Sequence, residues 1–512
     1  MSRARARLLL KVVGQLAARE LPRRRDTPPR NDDDPSADRA RRRAVDIRRS
    51  LERLGPLYIK IGQILSTRQD LIPQALATEL ESLHDQASVL PFAAMRPVLE
   101  AELGPGWARR FRDFDVARPL GAASLAQAYS ARLASGEPVV VKVQRPGVRE
   151  IVSEDMRMIK MAARWGAGRA PYFNMAIDLE AMLDVVFDAM RPECDFTLEA
   201  ANMDHARRSV AGFDNLCVPD VLHATPRVLI QSLAPGTSIR DADPTAFKED
   251  ERAAIGTSLL TFMYHGYFTD RRFHADPHPG NIFVCPGGPT TLIDWGMVGH
   301  IDRRLSMSVV LILLGLARND GPTVVGGWLE MGRATQWADI AGFGQDLAAL
   351  VPKIHAASLE QLNFGAALGH VLKCSTRRGI QTSPMISILA KSFANAEGSV
   401  RYLAPELSVT DVFVQNMRDI LFSYACEAVG EEQLATHLVQ LLAASASLPG
   451  ELRTITRALA QGDLTFQAAP VQPGRISLVE NNVDERIRYV TRRLLAAGAL
   501  GWWAHSRARR HT

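Results

Sequence analysis

The sequence predicts an α+β fold in two lobes, one built around a strand hairpin and one largely helical. Residues 125–133 and 139–144 have the pattern of two strands joined by a turn that contains Gly and Pro. A second, shorter hairpin is indicated at residues 282–284 and 290–293, which are joined by a Pro-Gly-Gly-Pro turn. Helical periodicity precedes, separates and follows these hairpins, so helices are expected to form most of the second lobe.

The two ends of the chain differ from its middle in charge and composition. Residues 22–44 combine Pro, Asp and Arg blocks with few apolar side chains, which predicts a disordered linker. Residues 1–21 fit a basic amphipathic helix, lying either on a membrane surface or on its own domain. The predicted divisions are the helix 1–21, the linker 22–44, a helical extension 45–115, an N-lobe 116–233, a C-lobe 234–470 and a basic helix or tail 471–512.

Composition excludes several classes of protein. A 512-residue chain with 46% hydrophobic and 23% charged residues is globular, and its five scattered cysteines suggest no disulfide framework or zinc ribbon. The scattered cysteines favour a reducing cytoplasm. The longest apolar runs are shorter than a membrane-spanning helix requires, so we expect at most a peripheral association with the inner face of the membrane. Aromatic residues make up only 6%, and no reader motif accompanies the Arg clusters, so nucleic acid is not an expected partner.

The most specific pattern is His274-Ala-Asp-Pro-His-Pro-Gly-Asn281, followed after the second hairpin by Ile293-Asp294-Trp-Gly. Phosphoryl transfer uses metal ions that bridge the terminal phosphates, and Mg²⁺ prefers carboxylate, phosphate and water oxygens. Asn281 and Asp294 flank one short hairpin and are the predicted metal ligands. Asp276 precedes Asn281 at the interval found in kinase catalytic loops, which predicts that it orients an attacking hydroxyl or water.

Two other interpretations of this segment remain. A His-x-Asp-x-His sequence also suits a zinc or iron site, although no second cluster of ligands follows at short spacing. The other alternative is a turn whose His and Asp side chains only satisfy backbone groups. That interpretation leaves the intervals between Asp276, Asn281 and Asp294 unexplained, so a nucleotide site is favoured.

One lysine, Lys142, interrupts a valine-rich strand. Alternation places it opposite Val141 and Val143, so its ammonium is expected on the other side of the sheet from the core. A kinase lysine that contacts the α- and β-phosphates and a helix glutamate lies this way. A solvent-facing lysine on an edge strand is the alternative.

A glutamate partner for Lys142 is predicted on a helix that starts after Pro192. There Asp195, Glu199 and Asn202 fall at i, i+4 and i+7 and share a face, and Glu199 is the predicted ion-pair partner. A solvated helix face would have the same pattern. Both interpretations stay open on the sequence alone.

The usual glycine-rich phosphate loops are missing. In their place before the first hairpin stands a run of small residues that allow a backbone to approach phosphates closely. Glycine at its first position also permits a positive φ. These candidate nucleotide-binding residues are Gly121, Ala122, Ala123 and Ser124.

Residues 45–470 resemble the UbiB-type atypical kinases, the AarF-domain kinase-like family. The family's K-x-G-Q motif is matched by Lys60, Gly62 and Gln63, and its E-x-D motif by Glu193 and Asp195. The run that begins at Gly121 stands where the family has an alanine-rich loop. The resemblance implies a bilobal protein-kinase-like fold with an N-terminal helical extension that covers the active site.

The resemblance also implies ATP or ADP as ligand, Mg²⁺ or Mn²⁺ as cofactor, and a role in quinone or isoprenoid lipid synthesis at membranes. Asp276, Lys142 and Glu199 would then be catalytic, and Gln231 and Leu233 would lie in the hinge strand beside the adenine. The hinge departs from the family because Met-Glu is expected there. Gly121 replaces the loop's first alanine, which is expected to alter nucleotide preference or the balance of inhibited and active states.

Two other functions fit parts of the sequence. Small-molecule phosphotransferases of the aminoglycoside or choline kinase type share the H-x-D-x-H-P-x-N and I-D-W patterns but generally lack K-x-G-Q. A nucleotide-gated scaffold without catalysis would use the basic ends to recruit partners to an anionic lipid surface. The sequence predicts neither the phosphoryl acceptor nor the oligomeric state.

Overall fold

The computed structural model describes residues 35–66, 68, 72–83, 88–167, 179–356 and 363–429. The predictions for residues 1–34 and 430–512, including the basic helix and the basic tail, therefore lie outside the described residues. Most of the described chain, up to Asn416, belongs to one compact unit. The remaining described residues, 417–429, form the end of one helix and belong to a second unit.

The first lobe contains a six-stranded antiparallel sheet. Its strands are β1 (Phe111–Phe114), β2 (Gly121–Ala122), β3 (Ala126–Leu133), β4 (Pro138–Gln144), β6 (Val221–Ala224) and β7 (Val228–Ser232), whereas β5 (Leu216–Cys217) belongs to another sheet. The strand order is β1-β3-β4-β7-β6, and β2 pairs with the first half of β3. The predicted hairpin is confirmed as β3 and β4, which pair from Ala126 opposite Gln144 to Arg132 opposite Pro138.

One face of this sheet is covered by helix α4 (Phe92–Leu103) and forms an apolar core. Alternate valines of β4 are buried there with residues of β3 and β7 and with an aromatic cluster around Trp107. Burial of this kind stabilises a fold by roughly 25 cal/mol per Å² of apolar surface. Because side chains alternate along a strand, β4 must direct its even-numbered positions to the opposite face.

The helices before and within the first lobe are α1 (Pro35–Leu54), α2 (Pro56–Ser66), α3 (Gln74–Glu81), α4 (Phe92–Leu103), α5 (Val148–Ala167), α6 (Leu179–Cys194) and α7 (Phe196–Val210). The start of α1 at Pro35 corrects the predicted linker, because residues 35–44 are helical rather than disordered. This segment contains several Ala and Arg residues, which favour helix, and Ala44 is buried.

The second lobe is largely helical, as predicted, with short strands near its start. Its helices are α8 (Glu249–Phe268), α9 (Arg303–Ala317), α10 (Gly321–Met331), α11 (Ile340–Ala356), α12 (Phe364–Arg377), α13 (Met385–Leu403) and α14 (Val409–Val429). Its strands are β8 (Thr237–Ser238), β9 (Arg272–His274), β10 (Ile282–Val284), β11 (Thr290–Leu292), β12 (Val298–His300), β13 (Arg333–Ala334) and β14 (Ile380–Gln381). In the described part of the chain, no helix combines the length and apolar character needed to cross a membrane.

The predicted second hairpin is confirmed as β10 and β11, in which Ile282 pairs with Leu292. This hairpin belongs to a four-stranded sheet of order β5-β11-β10-β8. Next to it, β9 and β12 form a two-stranded ribbon in which His274 pairs with Val298. Asp276 and Asn281 lie between β9 and β10, and Asp294 lies between β11 and β12. The pairing of these strands therefore brings the two predicted motifs close together.

Candidate active site

Lys142 lies on the face of the first sheet that is turned away from the apolar core. Its neighbours Val141 and Val143 are fully buried in that core, so the predicted alternation is observed. On the other face, the Lys142 ammonium lies 2.5 Å from Glu199 Oε1 and 3.5 Å from Asp294 Oδ1. One cation thus links β4, α7 and the segment after β11.

Electrostatics in this group favour an ionised lysine and an ionised aspartate. Burial alone would lower the pKa of Lys142, but the Glu199 and Asp294 carboxylates raise it above its ordinary value. The Lys142 charge lowers the pKa of Asp294 to about 2. Glu199 is only 2% exposed, and burial raises its pKa in spite of the ammonium beside it.

Asp294 and Asn281 are neighbours across the end of the second hairpin. The Ile293 backbone N–H donates to the Asn281 carbonyl at 2.9 Å, which extends the β10–β11 ladder by one step. Asp294 has a φ of +61°, a conformation that Asp tolerates better than most residues and that is often found at functional sites. The backbone therefore turns sharply at the predicted metal ligand, and about half of the Asp294 side chain is exposed.

Two buried aromatic residues that the sequence did not single out support this turn. His274 Nε2 lies 3.1 Å from the Ile293 carbonyl, and His274 Nδ1 accepts the Asp276 backbone N–H at 3.2 Å. The Trp295 ring packs on the His274 ring at 4.7 Å, and its indole N–H donates to the Leu292 carbonyl. The imidazole therefore connects the two chemical motifs.

Asp276 lies before Asn281 in a tight turn, and the Asn281 amide nitrogen donates to the Asp276 carbonyl at 3.3 Å. Two side chains of α13 contact its carboxylate: Asn395 Nδ2 lies 2.6 Å and Lys391 Nζ 3.2 Å from Oδ1. Burial would raise the pKa of Asp276, but the nearby cations, Lys391 foremost, lower it below its ordinary value. Sequence reasoning missed both α13 residues.

The helical extension reaches this site through Lys60 of α2. Its ammonium forms an ion pair with Glu193 at the end of α6, and its charge also lowers the pKa of Asp276 and Asp294. The Gln63 side chain donates to the Leu83 carbonyl at 3.1 Å. Lys60 is thus brought to the site, whereas Gln63 ties α2 to the chain that follows α3.

The expected position of Asp195 on a shared helix face is wrong. Helix α6 continues past Pro192 to Cys194, and Asp195 is the N-cap of α7, accepting from the Thr197 N–H at 3.1 Å. Aspartate is strongly preferred at N-caps because its carboxylate satisfies a free N–H. Asn202 does point inwards from α7, and its Nδ2 donates to the Trp295 carbonyl at 3.0 Å.

The alanine-rich loop is a tight turn between β2 and β3. Gly121 and Ala122 pair with Ala128 and Gln127, and Ala123 and Ser124 form the turn. The Arg145 guanidinium donates to the Ala123 carbonyl at 2.8 Å and fixes the turn over the end of β4. Gly121 does not use the positive φ that glycine permits.

The predicted hinge strand is β7, which contains Gln231 and is followed directly by Leu233. Gln231 is 3% exposed and lies on the same sheet face as Lys142, because Gln231 pairs with Val140 and Leu229 pairs with Lys142. Its carboxamide Oε1 has no hydrogen-bond partner among the described residues. Leu233 is more than a third exposed, and its N–H donates to the Pro138 carbonyl.

The residues at this site fit a metal-bound nucleotide. The Asn281 amide nitrogen is engaged, so its oxygen is the atom available as a ligand beside the Asp294 carboxylate. One carboxylate and one amide oxygen are too few for an all-protein cage but suit Mg²⁺, which completes its shell with phosphate oxygens and water. Within the described ranges, no group of three His, Cys, Asp or Glu side chains is arranged to hold a metal.

The two lobes, the Lys–Glu pair and the Asn and Asp of the hairpin define a protein-kinase-like fold. Residues 82–326 match the ABC1 atypical kinase-like domain, and residues 347–408 match the UbiB helical domain. The chain therefore belongs to the UbiB family of atypical kinase-like proteins, as the resemblance predicted.

Relatives named "Probable protein kinase UbiB" include those of Pseudomonas fluorescens SBW25 and Azotobacter vinelandii. The first is 31% identical over 72% of this chain and 70% of its own length. The second is 32% identical over 78% of this chain and 73% of its own length. The solved Mycobacterium tuberculosis Rv3197–erythromycin complex is similar with a TM-score of 0.49 and 22% identity, over 74% of this chain and 96% of that one.

Proposed function

We propose that this chain binds a magnesium-complexed adenine nucleotide and acts on it as an atypical kinase or ATPase. The observation that carries the proposal is the Lys142 ammonium held between Glu199 and Asp294 at 2.5 and 3.5 Å. In kinase-like phosphoryl transfer, such a lysine holds the α- and β-phosphates while its glutamate fixes the lysine in place. The buried Glu199 and the partly exposed Asp294 suit these roles of anchor and ligand.

The other residues of the site have roles consistent with this chemistry. Asn281 and Asp294 would hold Mg²⁺ or Mn²⁺, which when bound neutralises charge on the terminal phosphates. Asp276 would orient the attacking hydroxyl or water. The turn at Gly121 and Ser124 would cover the phosphates with its backbone.

We further propose that the activity serves quinone or other isoprenoid lipid metabolism at a membrane surface. Membership of the UbiB family supports this, as do the basic residues of the two ends, which would face anionic lipid. The Lys60–Glu193 ion pair holds α2 beside the site, where the helix would restrict access of large acceptors. In this proposal the protein is cytoplasmic and peripheral to the membrane.

Titration calorimetry with Mg·ATP and Mg·ADP tests nucleotide binding. The wild-type chain is expected to bind both, Lys142→Met to lose at least about tenfold in affinity, and Asp294→Asn to lose the dependence on Mg²⁺. Lys353→Met is the matched control, because Lys353 is an exposed lysine on α11. Unchanged binding and turnover in both site variants would disprove the proposal.

Transfer from labelled ATP separates the candidate enzymes. Label on a lipid extract, or ATP hydrolysis stimulated by it, supports the proposed role in lipid metabolism. Efficient transfer to soluble alcohols instead would identify a small-molecule phosphotransferase. Nucleotide binding with turnover at background would identify a scaffold.

A further inference from the structure

Helix α13 holds the segment around Asp276 in place through several hydrogen bonds. Ser392 Oγ donates to the His274 carbonyl at 2.6 Å, and Ser399 Oγ donates to the Pro277 carbonyl at 2.9 Å. Both serines are fully or almost fully buried. The backbone on both sides of Asp276 is therefore fixed to one helix that lies more than a hundred residues further along the chain.

The same helix also fixes the Asp276 side chain. Lys391 and Asn395 are four residues apart and therefore share a helix face. Their ammonium and amide nitrogens lie 3.2 and 2.6 Å from the same carboxylate oxygen, Oδ1. Both donors act on Oδ1 rather than on Oδ2.

A carboxylate without such partners rotates freely about its last bond, because that torsion has broad, roughly two-fold preferences. Two donors on Oδ1 restrict the rotation. Chemistry that depends on positioning is sensitive to this, since a displacement of about 1 Å can cost roughly a hundredfold in rate. The ion pair is about one-third exposed, so its charge interaction alone contributes little to stability.

We propose that Lys391 and Asn395 are positioning residues for Asp276, which direct its free carboxylate oxygen at the attacking hydroxyl or water. The helical domain would thereby form one wall of the active site. This inference rests on the proposed function, because it assigns a role within the same phosphoryl transfer.

Lys391→Met and Asn395→Leu test the inference in the full chain, with ATP turnover and Mg·ADP affinity measured together. Both variants are expected to lower kcat about 10- to 100-fold while the Kd for Mg·ADP changes less than about twofold. Lys391→Arg should recover part of the rate because it keeps a cation that donates hydrogen bonds. Lys353→Met, which removes an exposed lysine charge from the same lobe, should match the wild type.

A double-mutant cycle with Asp276→Asn separates positioning from an independent role. If Lys391 acts through Asp276, Lys391→Met should cause no further loss in the Asp276→Asn background. Losses that multiply would overturn the inference, and so would a Lys391→Met variant with wild-type turnover. A wild-type chain that binds Mg·ADP but shows no ATP turnover would also overturn the inference, although nucleotide binding would stand. A wild-type chain that does not bind Mg·ADP would overturn the proposed function as well.

Discussion

Glu397 is a fully buried carboxyl group on α13, two residues beyond Asn395. Its Oε1 accepts the Phe364 backbone N–H at 3.2 Å, and its Oε2 has no hydrogen-bond partner among the described residues. Burial raises the pKa of Glu397 to about 8 in spite of the Arg401 charge. The folded chain therefore holds this proton at neutral pH, whereas the unfolded chain releases it.

We expect the free energy of unfolding to fall as the pH rises from about 4.5 to about 8. Below about pH 4.5 Glu397 is protonated in both the folded and the unfolded chain, and above about pH 8 it is protonated in neither. Between these values only the folded chain holds the proton, so the free energy of unfolding falls as the pH rises. The difference is on the order of 3–5 kcal/mol. Glu397→Gln should remove it, which thermal unfolding of both chains from pH 5 to pH 9 would show. Parallel pH profiles for the two chains would contradict this expectation.

Gln231 is expected to influence which nucleobase binds. Its carboxamide lies on the Lys142 face of the sheet, and a glutamine can pair with the exocyclic amine and N7 of adenine. Inosine triphosphate has a carbonyl in place of that amine, so the wild type should favour ATP over it by about tenfold. Gln231→Met should lose most of this preference, and Leu229→Met, the neighbour on the same face, should keep it. Equal binding of the two nucleotides by the wild type would contradict the prediction.

Some site residues were predictable because their signals are local. Strand alternation predicted the sheet face on which Lys142 lies. The positions of Asn281 and Asp294 on either side of one hairpin predicted that they are neighbours. Lys391 and Asn395 were not, because they lie more than a hundred residues from Asp276 on a helix with no distinctive local pattern. The resemblance covers this helix within residues 45–470 but assigned no role to its residues.

The short elements were harder to predict than the long ones. Strands β5, β8 and β13 have two residues each, which is too few for an alternating pattern to emerge. The boundary between α6 and α7 was misplaced because proline usually ends a helix, whereas here the N-cap residue Asp195 sets the boundary. In contrast, both hairpins were found within one residue because turn signals bound them.

Two glycines in family motifs are expected to respond oppositely to alanine. A Cβ on Gly62 of α2 would overlap Leu83 and approach Leu51 to 3.0 Å, whereas a Cβ on Gly121 of β2 would meet nothing within 4 Å. Overpacking costs about 1–3 kcal/mol, against at most about 1 kcal/mol gained in helix propensity, so Gly62→Ala should destabilise the helical extension. Gly121→Ala should be neutral or stabilising by about 0.4–1 kcal/mol.

Thermal unfolding of the two variants tests both expectations, and each variant serves as the control for the other. A lower Tm for Gly121→Ala than for Gly62→Ala would contradict it. The Gly121→Ala variant also restores the alanine that the family has at this position. Its affinities for Mg·ATP and Mg·ADP would show whether glycine in the loop alters nucleotide preference. The backbone at Gly121 does not itself require glycine, because its φ is not positive.

The charge of the chain is distributed unevenly along its length. Residues 1–50 carry a net +8 and residues 475–512 a net +5, so the middle is net −8 although the whole chain is only +5. An acidic body would be repelled by an anionic bilayer, and the basic ends would have to overcome that repulsion. Each Lys or Arg near such a surface contributes about 1 kcal/mol, and the contribution is screened by salt.

We therefore expect the full chain to sediment with vesicles of phosphatidylcholine and phosphatidylserine but not with phosphatidylcholine alone. Binding should fall steeply between about 0.1 and 0.5 M salt, because the Debye length shortens over that range. Deleting residues 1–20 or 480–512 should each weaken binding while Mg·ADP affinity is retained. Salt-independent binding, or equal binding by the doubly truncated chain, would show that the basic ends do not bring the kinase-like domain to the membrane.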